Sequence, residues 1–179
     1  MTLQPPRRSP DNEQRLIVLA CLDKLGPCTE LQLLQFLTER DTMNYFDMMF
    51  SLNDLCAGGQ AVRTKKRAGY LYELTDAGRE ALSLFGSRVP GSIKKLLKDS
   101  AEEWKRRFRQ EMQYQHAIRQ TERGEYDLTL TAVEQEMDML QLRFTLPARD
   151  LARRMAEKWP QKAAEIYETV IRLLSEEDE

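Results

Sequence analysis

The residues that could carry chemistry are few. His116 is the single histidine among 179 residues, so a Ser/His/Asp or Cys/His triad of the usual form cannot be assembled, and acid–base catalysis at neutral pH is disfavoured. Cys21, Cys28 and Cys56 are odd in number and lie in no Cys-x-x-Cys or Cys/His cluster, which points to neither a disulfide framework nor a zinc site. They read as reduced, buried small hydrophobes. The glycines match neither a phosphate-binding loop nor a dinucleotide fingerprint. No catalytic residue, metal or cofactor is expected, and the chain reads as a non-enzyme. What remains is charge. Arg63, Lys65, Lys66 and Arg67 concentrate cations on one short stretch, and Lys105, Arg106, Arg107 and Arg109 do so on a second. Cations clustered at a turn suit backbone phosphates, whereas a charge run along a helix reads first as a solvated face.

The wider charge balance permits a directed contact and argues against an indiscriminate one. The net charge is −2, with +5 on residues 88–123 and −6 on residues 124–179; a weakly acidic total disfavours nonspecific attraction to nucleic acid. With 41% hydrophobic and 31% charged residues, the chain has the composition of a folded soluble protein rather than a disordered one. Its longest apolar run, Leu16 to Leu22, is far below the roughly 18 residues of a membrane span. The opening segment lacks the apolar stretch of a signal peptide. A cytoplasmic protein without membrane contact is expected.

The basic stretches are placed by the elements around them. Residues 1–10, with Pro5, Pro6 and Pro10, read as a leader. Residues 12–25 are apolar over most of a helical circumference, and Gly26-Pro27 ends them. Thr29 followed by Gln32 is a capping-box pattern for a second helix reaching Glu39 and burying Leu31, Leu34 and Leu37. Asn44 caps a third helix that Gly58-Gly59 terminates. Spacing on this helix turns Tyr45, Met49, Leu52 and Cys56 inward and Asn44, Asp47, Ser51 and Asp54 outward, with Phe46 and Phe50 on a shoulder. Residues 61–64 and 70–74 alternate as strands about a turn at 65–69, and Thr75 caps a fourth helix.

Helix, helix, helix, hairpin, helix is the winged helix-turn-helix order, which places that domain at residues 11–87. In such a module the third helix reads base edges, here through Asn44, Tyr45, Asp47, Met48 and Ser51, while the wing residues Arg63, Lys65, Lys66 and Arg67 hold phosphates. The expected outer face of the third helix carries no Lys or Arg. That shifts the expected contact with double-stranded DNA to the wing, and it leaves open an alternative in which the module docks on a protein and binds no DNA.

Val89-Pro90-Gly91-Ser92 reads as part of a linker over residues 88–92. Beyond it Ile93, Leu97, Ala101, Trp104 and Phe108 form a narrow stripe, expected to lie against the second domain or the same helix of another subunit. Strands follow at about 112–120, 126–134 and 137–145, with a hairpin turn at Arg123-Gly124. Pro147 starts a helix with Ala148, Leu151, Ala152, Met155 and Trp159 on one face, and Pro160 starts another that buries Ile166, Tyr167, Val170 and Leu174. Residues 93–175 are thus expected to form an α+β domain, a three-stranded antiparallel sheet with two helices on one face. Residues 176–179 extend it as an acidic tail.

Three segments in this order, TMNYF at Thr42–Phe46, YELTDAGREAL at Tyr72–Leu82 and GEY at Gly124–Tyr126, resemble the bacterial family known as domain of unknown function 4364. The resemblance covers nearly the whole chain after the leader. It implies an N-terminal winged helix joined to a C-terminal α+β region and a DNA-binding transcriptional regulator, and it supplies no ligand or site. A homodimer is expected, because paired half-sites about 34 Å apart demand two recognition helices. The C-terminal domain would dimerise or sense a small-molecule or protein effector.

Overall fold

The structure, a computed structural model, describes residues 11–39, 41–66 and 69–175. The expected leader and acidic tail lie outside the described residues. The chain divides into two compact units, the first ending at Phe108 and the second beginning at Arg109.

The first unit is organised by α1 (Asp11–Leu25). Leu16, Ile17, Val18 and Leu19 are consecutive and all buried, as are Cys21, Leu22 and Leu25. Four successive residues span more than a full helical turn, so the middle of α1 is covered on every side. Then come β1 (Cys28–Thr29), α2 (Glu30–Thr38), α3 (Tyr45–Ala57), β2 (Ala61–Lys66), β3 (Gly69–Leu74) and α4 (Asp76–Phe85). The strands make one antiparallel sheet in the order β1-β3-β2. The two-residue β1 is too short to be seen in the sequence pattern.

The capping box forms as expected. Thr29 Oγ1 accepts from the Gln32 amide at 3.3 Å, and Gln32 Oε1 accepts from the Thr29 amide at 3.0 Å. Gln32 Nε2 donates in turn to the Phe108 carbonyl at 3.3 Å in the interior. This bond turns α2: its buried residues are Gln32, Leu33, Phe36 and Leu37, while Leu31 is exposed and Leu34 half-buried. The expected face of Leu31, Leu34 and Leu37 is corrected accordingly. Leu37 is buried in the core and Leu34 packs against it half-buried, whereas Leu31 does not take part.

The expected linker is also corrected. Gly86–Arg88 form a 3-10 turn, Val89 is buried, and the Pro90 carbonyl accepts from the amides of Ile93 and Lys94 at the start of α5 (Gly91–Gln113). The stripe Ile93, Leu97, Ala101, Trp104 and Phe108 joins the core of the first unit. Its partner is therefore neither a second domain nor another subunit. Phe36 of α2 meets Trp104 edge to face at 5.6 Å, and Trp104 meets Phe108 at 5.4 Å; such contacts add about 0.5–1.5 kcal/mol each beyond the area buried.

The second unit contains β4 (Tyr114–Gln120), β5 (Tyr126–Glu134) and β6 (Met137–Leu146), antiparallel in the order β4-β5-β6, with α6 (Arg149–Ser175) on one face. Gly124 has φ +82° in the turn before β5, a conformation that favours glycine at the expected reversal. The two expected helices are one. α6 runs through Pro160, although proline removes an amide and costs a helix interior about 3 kcal/mol. Ala152, Ala156, Trp159 and Ala163 are buried on both sides of Pro160, and Trp159 Nε1 donates to the Thr131 carbonyl at 3.2 Å. Continuous packing on the sheet outweighs the missing bond.

Two local devices have measurable consequences. At the exit of the β2–β3 hairpin, Thr75 Oγ1 accepts from the Gly78 amide at 3.2 Å and donates to the Gly59 carbonyl at 2.7 Å. A Cβ on Gly78 would stand 2.2 Å from the Gln60 carbonyl oxygen and 2.6 Å from Leu74 Cδ1. Gly78→Ala is expected to destabilise by about 1–3 kcal/mol despite alanine's helix preference of about 1 kcal/mol, read as a lower urea midpoint of the full chain.

In the second unit Asp127 accepts from Arg143 Nη2 at 2.7 Å and Thr145 Oγ1 at 2.8 Å. The Arg143 bond first, then that of Thr145, holds this carboxyl below the usual range. A lowered folded value stabilises above the unfolded pKa and loses that contribution as pH falls through the folded one. Asp127→Asn should therefore lower the Tm at neutral pH and flatten the acid limb of a Tm profile recorded from about pH 7 to pH 2.

Candidate nucleic-acid interface

The α3 helix begins at a tied pair. Asn44 Oδ1 accepts from the Asp47 amide at 2.9 Å, and Asn44 Nδ2 donates to Asp47 Oδ2 at 2.8 Å. Both side chains serve the N-cap, where a carboxylate also favours the helix dipole. Met48, Ser51, Leu52 and Leu55 are buried. Met48 at 0% and Ser51 at 4% exposure cannot reach a ligand, which corrects their expected place on a reading face. Tyr45, expected inward, is partly exposed, donates to Glu30 Oε1 at 2.8 Å and meets the Phe46 ring at 5.7 Å. The Glu30 bond raises its phenol above the ordinary range.

The inward face thus lies nearly one residue away from the expected one. A serine is polar in a hydropathy pattern, yet small enough to be enclosed. Asn44, Tyr45 and Asp54 are exposed, and the centre of the outward face is formed by Phe46, Phe50 and Asn53, with the two rings 69% and 71% exposed. Their spacing of four and three is visible in the sequence, but it is equally the signature of a buried stripe. Asp54 is exposed beside them and pairs with Arg15 at 3.1 Å.

The hairpin alternates its faces. Arg63 stands opposite Tyr72 and Lys65 opposite Tyr70, so cations and aromatic rings share the face whose base is the buried pair Ala61 and Leu74. The Arg63 guanidinium lies 4.6 Å from the centre of the Tyr70 ring. Burial pushes the Tyr72 phenol up, and a hydrogen bond from Arg63 opposes that. The same cation opposes the burial that raises the Cys56 thiol at the end of α3. The Arg63 charge therefore lies close to the C-terminal end of α3. Arg63 and Lys65 are exposed and Lys66 is half-buried; Arg67 lies outside the described residues.

Two members of the second basic cluster are engaged on their own helix. Lys105 pairs with Glu102 at 2.9 Å, and the Arg107 guanidinium stacks 4.7 Å from the Trp104 ring centre. Burial raises the Cys28 thiol to about 12, and burial followed by the charge of Cys28 raises Cys21 as well, which removes both from nucleophilic use at neutral pH. His116 is exposed on β4 opposite Leu130. Among the described residues no group of three His, Cys, Asp or Glu side chains is placed to hold a metal ion, and no helix is long and apolar enough to cross a membrane.

These features define an α+β protein with two three-stranded antiparallel sheets, one of which carries a basic hairpin beside an aromatic helix face. The chain belongs to the DUF4364 family, a domain of unknown function whose model matches residues 14–174. No curated protein and no solved structure matches it.

Proposed function

We propose that residues 11–85 are a winged helix-turn-helix and that the protein is a DNA-binding transcriptional regulator of the cytoplasm. The observation that carries this reading is the position of β1. It lies between α1 and α2 and pairs with β3, giving the order β1-β3-β2, so that β2 and β3 project as a wing next to α3. The wing's cations supply the phosphate contacts, and α3 is the element presented to the major groove. Exposure of Phe46 and Phe50 favours a second reading, in which α3 docks on a protein and no duplex is bound.

The two readings part on duplex binding. Full-length protein is expected to bind duplex DNA with a strong salt dependence. The combined Lys65→Ala, Lys66→Ala, Arg67→Ala variant should weaken it and reduce the slope of log K against log salt by roughly one for each phosphate no longer neutralised. Unchanged affinity in that variant rejects the wing role. Absence of duplex retention at low salt rejects the regulator.

A homodimer is part of the proposal, with the second unit as its seat. Tyr167, Val170, Ile171 and Leu174 follow the three-four spacing of a helix-pairing seam, and Leu174 is 82% exposed at the end of α6. Ile171→Glu with Leu174→Glu is expected to convert a dimer to a monomer in sedimentation velocity without loss of helix signal. A wild-type chain that sediments as a monomer at all concentrations refutes the dimer.

A further inference from the structure

The outer stripe of α3 has a composition that selects among DNA sequences. At 100° per residue, Phe46, Phe50, Asn53 and Ala57 fall within an arc of about 60°, opposite the buried Met48, Ser51, Leu52 and Leu55. All four stripe residues are exposed. None carries charge. The flanking carboxylates have internal partners, Asp47 with Asn44 and Asp54 with Arg15, so neither is an isolated anion facing phosphate.

A neutral stripe with two aromatic rings and one carboxamide cannot bind guanine as Arg or Lys does. It suits the other base pair: apolar side chains contact the thymine C5 methyl, and Asn donates to adenine N7 while accepting from its N6 amino group. We infer that α3 reads A·T base pairs in the major groove, Phe46 and Phe50 on thymine methyls and Asn53 on an adenine edge. This inference rests on the winged-helix reading above. Charge complementarity selects DNA as the occupant, because Arg63, close to Cys56 on the neighbouring face of α3, and Lys65 on the same hairpin face provide the phosphate contacts that a neutral stripe lacks.

The test uses full-length protein and fluorescence anisotropy competition with three alternating copolymer duplexes, poly(dA-dT), poly(dA-dU) and poly(dG-dC). Uracil keeps the hydrogen-bonding groups of thymine and deletes only its C5 methyl. Affinity is expected to fall about fourfold per buried methyl from the first duplex to the second, and further for the third. Phe46→Ala with Phe50→Ala, exposed positions whose truncation leaves the core intact, should abolish the difference between thymine and uracil. Asn53→Ala should keep that difference and lower the preference for dA-dU over dG-dC about tenfold.

Equal affinity for all three duplexes, with salt dependence intact, overturns the inference and leaves the regulator standing. No binding to any duplex overturns both. Unchanged duplex affinities in the Phe46/Phe50 variant, together with a loss of self-association in sedimentation velocity, overturn it in favour of a protein-docking stripe.

Discussion

Burial of the middle of α1 around its whole circumference is the constraint on which the first unit depends. A helix with Leu16, Ile17, Val18 and Leu19 in succession leaves no face for solvent, and each such side chain withdrawn from water contributes about 1.5–3 kcal/mol. That gain is realised only when other elements surround it. In the structure α3, α4, β3 and the 3-10 turn before α5 all pack against α1, and Val89 and the α5 stripe extend the same core. The orientation of α3 follows: the side presenting Met48, Leu52 and Leu55 is enclosed, so Phe46 and Phe50 turn outward.

Polar bonds fix what apolar burial leaves free to slide. Gln32 closes the N-terminal cap of α2 and reaches the backbone of α5, tying elements 76 residues apart. At the other end, the Thr75 amide donates to the Gln60 carbonyl at 3.1 Å while its hydroxyl donates to Gly59, so the chain entering and leaving the hairpin is clasped where α3 ends. Gly59 takes φ +71° there. The hairpin consequently projects from a fixed base, and Arg63 sits where that base meets α3. The proposed wing has a defined position before any ligand arrives.

The second unit solves a smaller packing problem by different means. Its core is one sheet face and one helix, with alanines at 152, 156 and 163 letting α6 approach the strands and Trp159 filling the centre. Tyr114 meets Trp159 edge to face at 6.4 Å. The opposite face of the sheet carries the Asp127, Arg143 and Thr145 network, the apolar-and-polar alternation common in antiparallel sheets.

Much of this protein was legible from residues whose effect is local. Thr29, Asn44 and Thr75 cap helices through their own side chains, Gly58-Gly59 and Gly124 mark reversals, and alternation outlines the strands, because a cap or turn involves atoms only a few residues apart. Family membership was legible for the same reason, in short segments at fixed positions. What the tertiary structure decided involves partners distant in sequence: the pairing of β1 with β3, the inward turn of Gln32, the burial of Met48 and Ser51, the seating of the α5 stripe in the first core and the passage of α6 through Pro160. A helical pattern offers several nearly equivalent faces, and only the neighbours that arrive on folding choose one. The basic hairpin could therefore be picked out from the sequence, whereas the exposed Phe46, Phe50 and Asn53 face beside it could not.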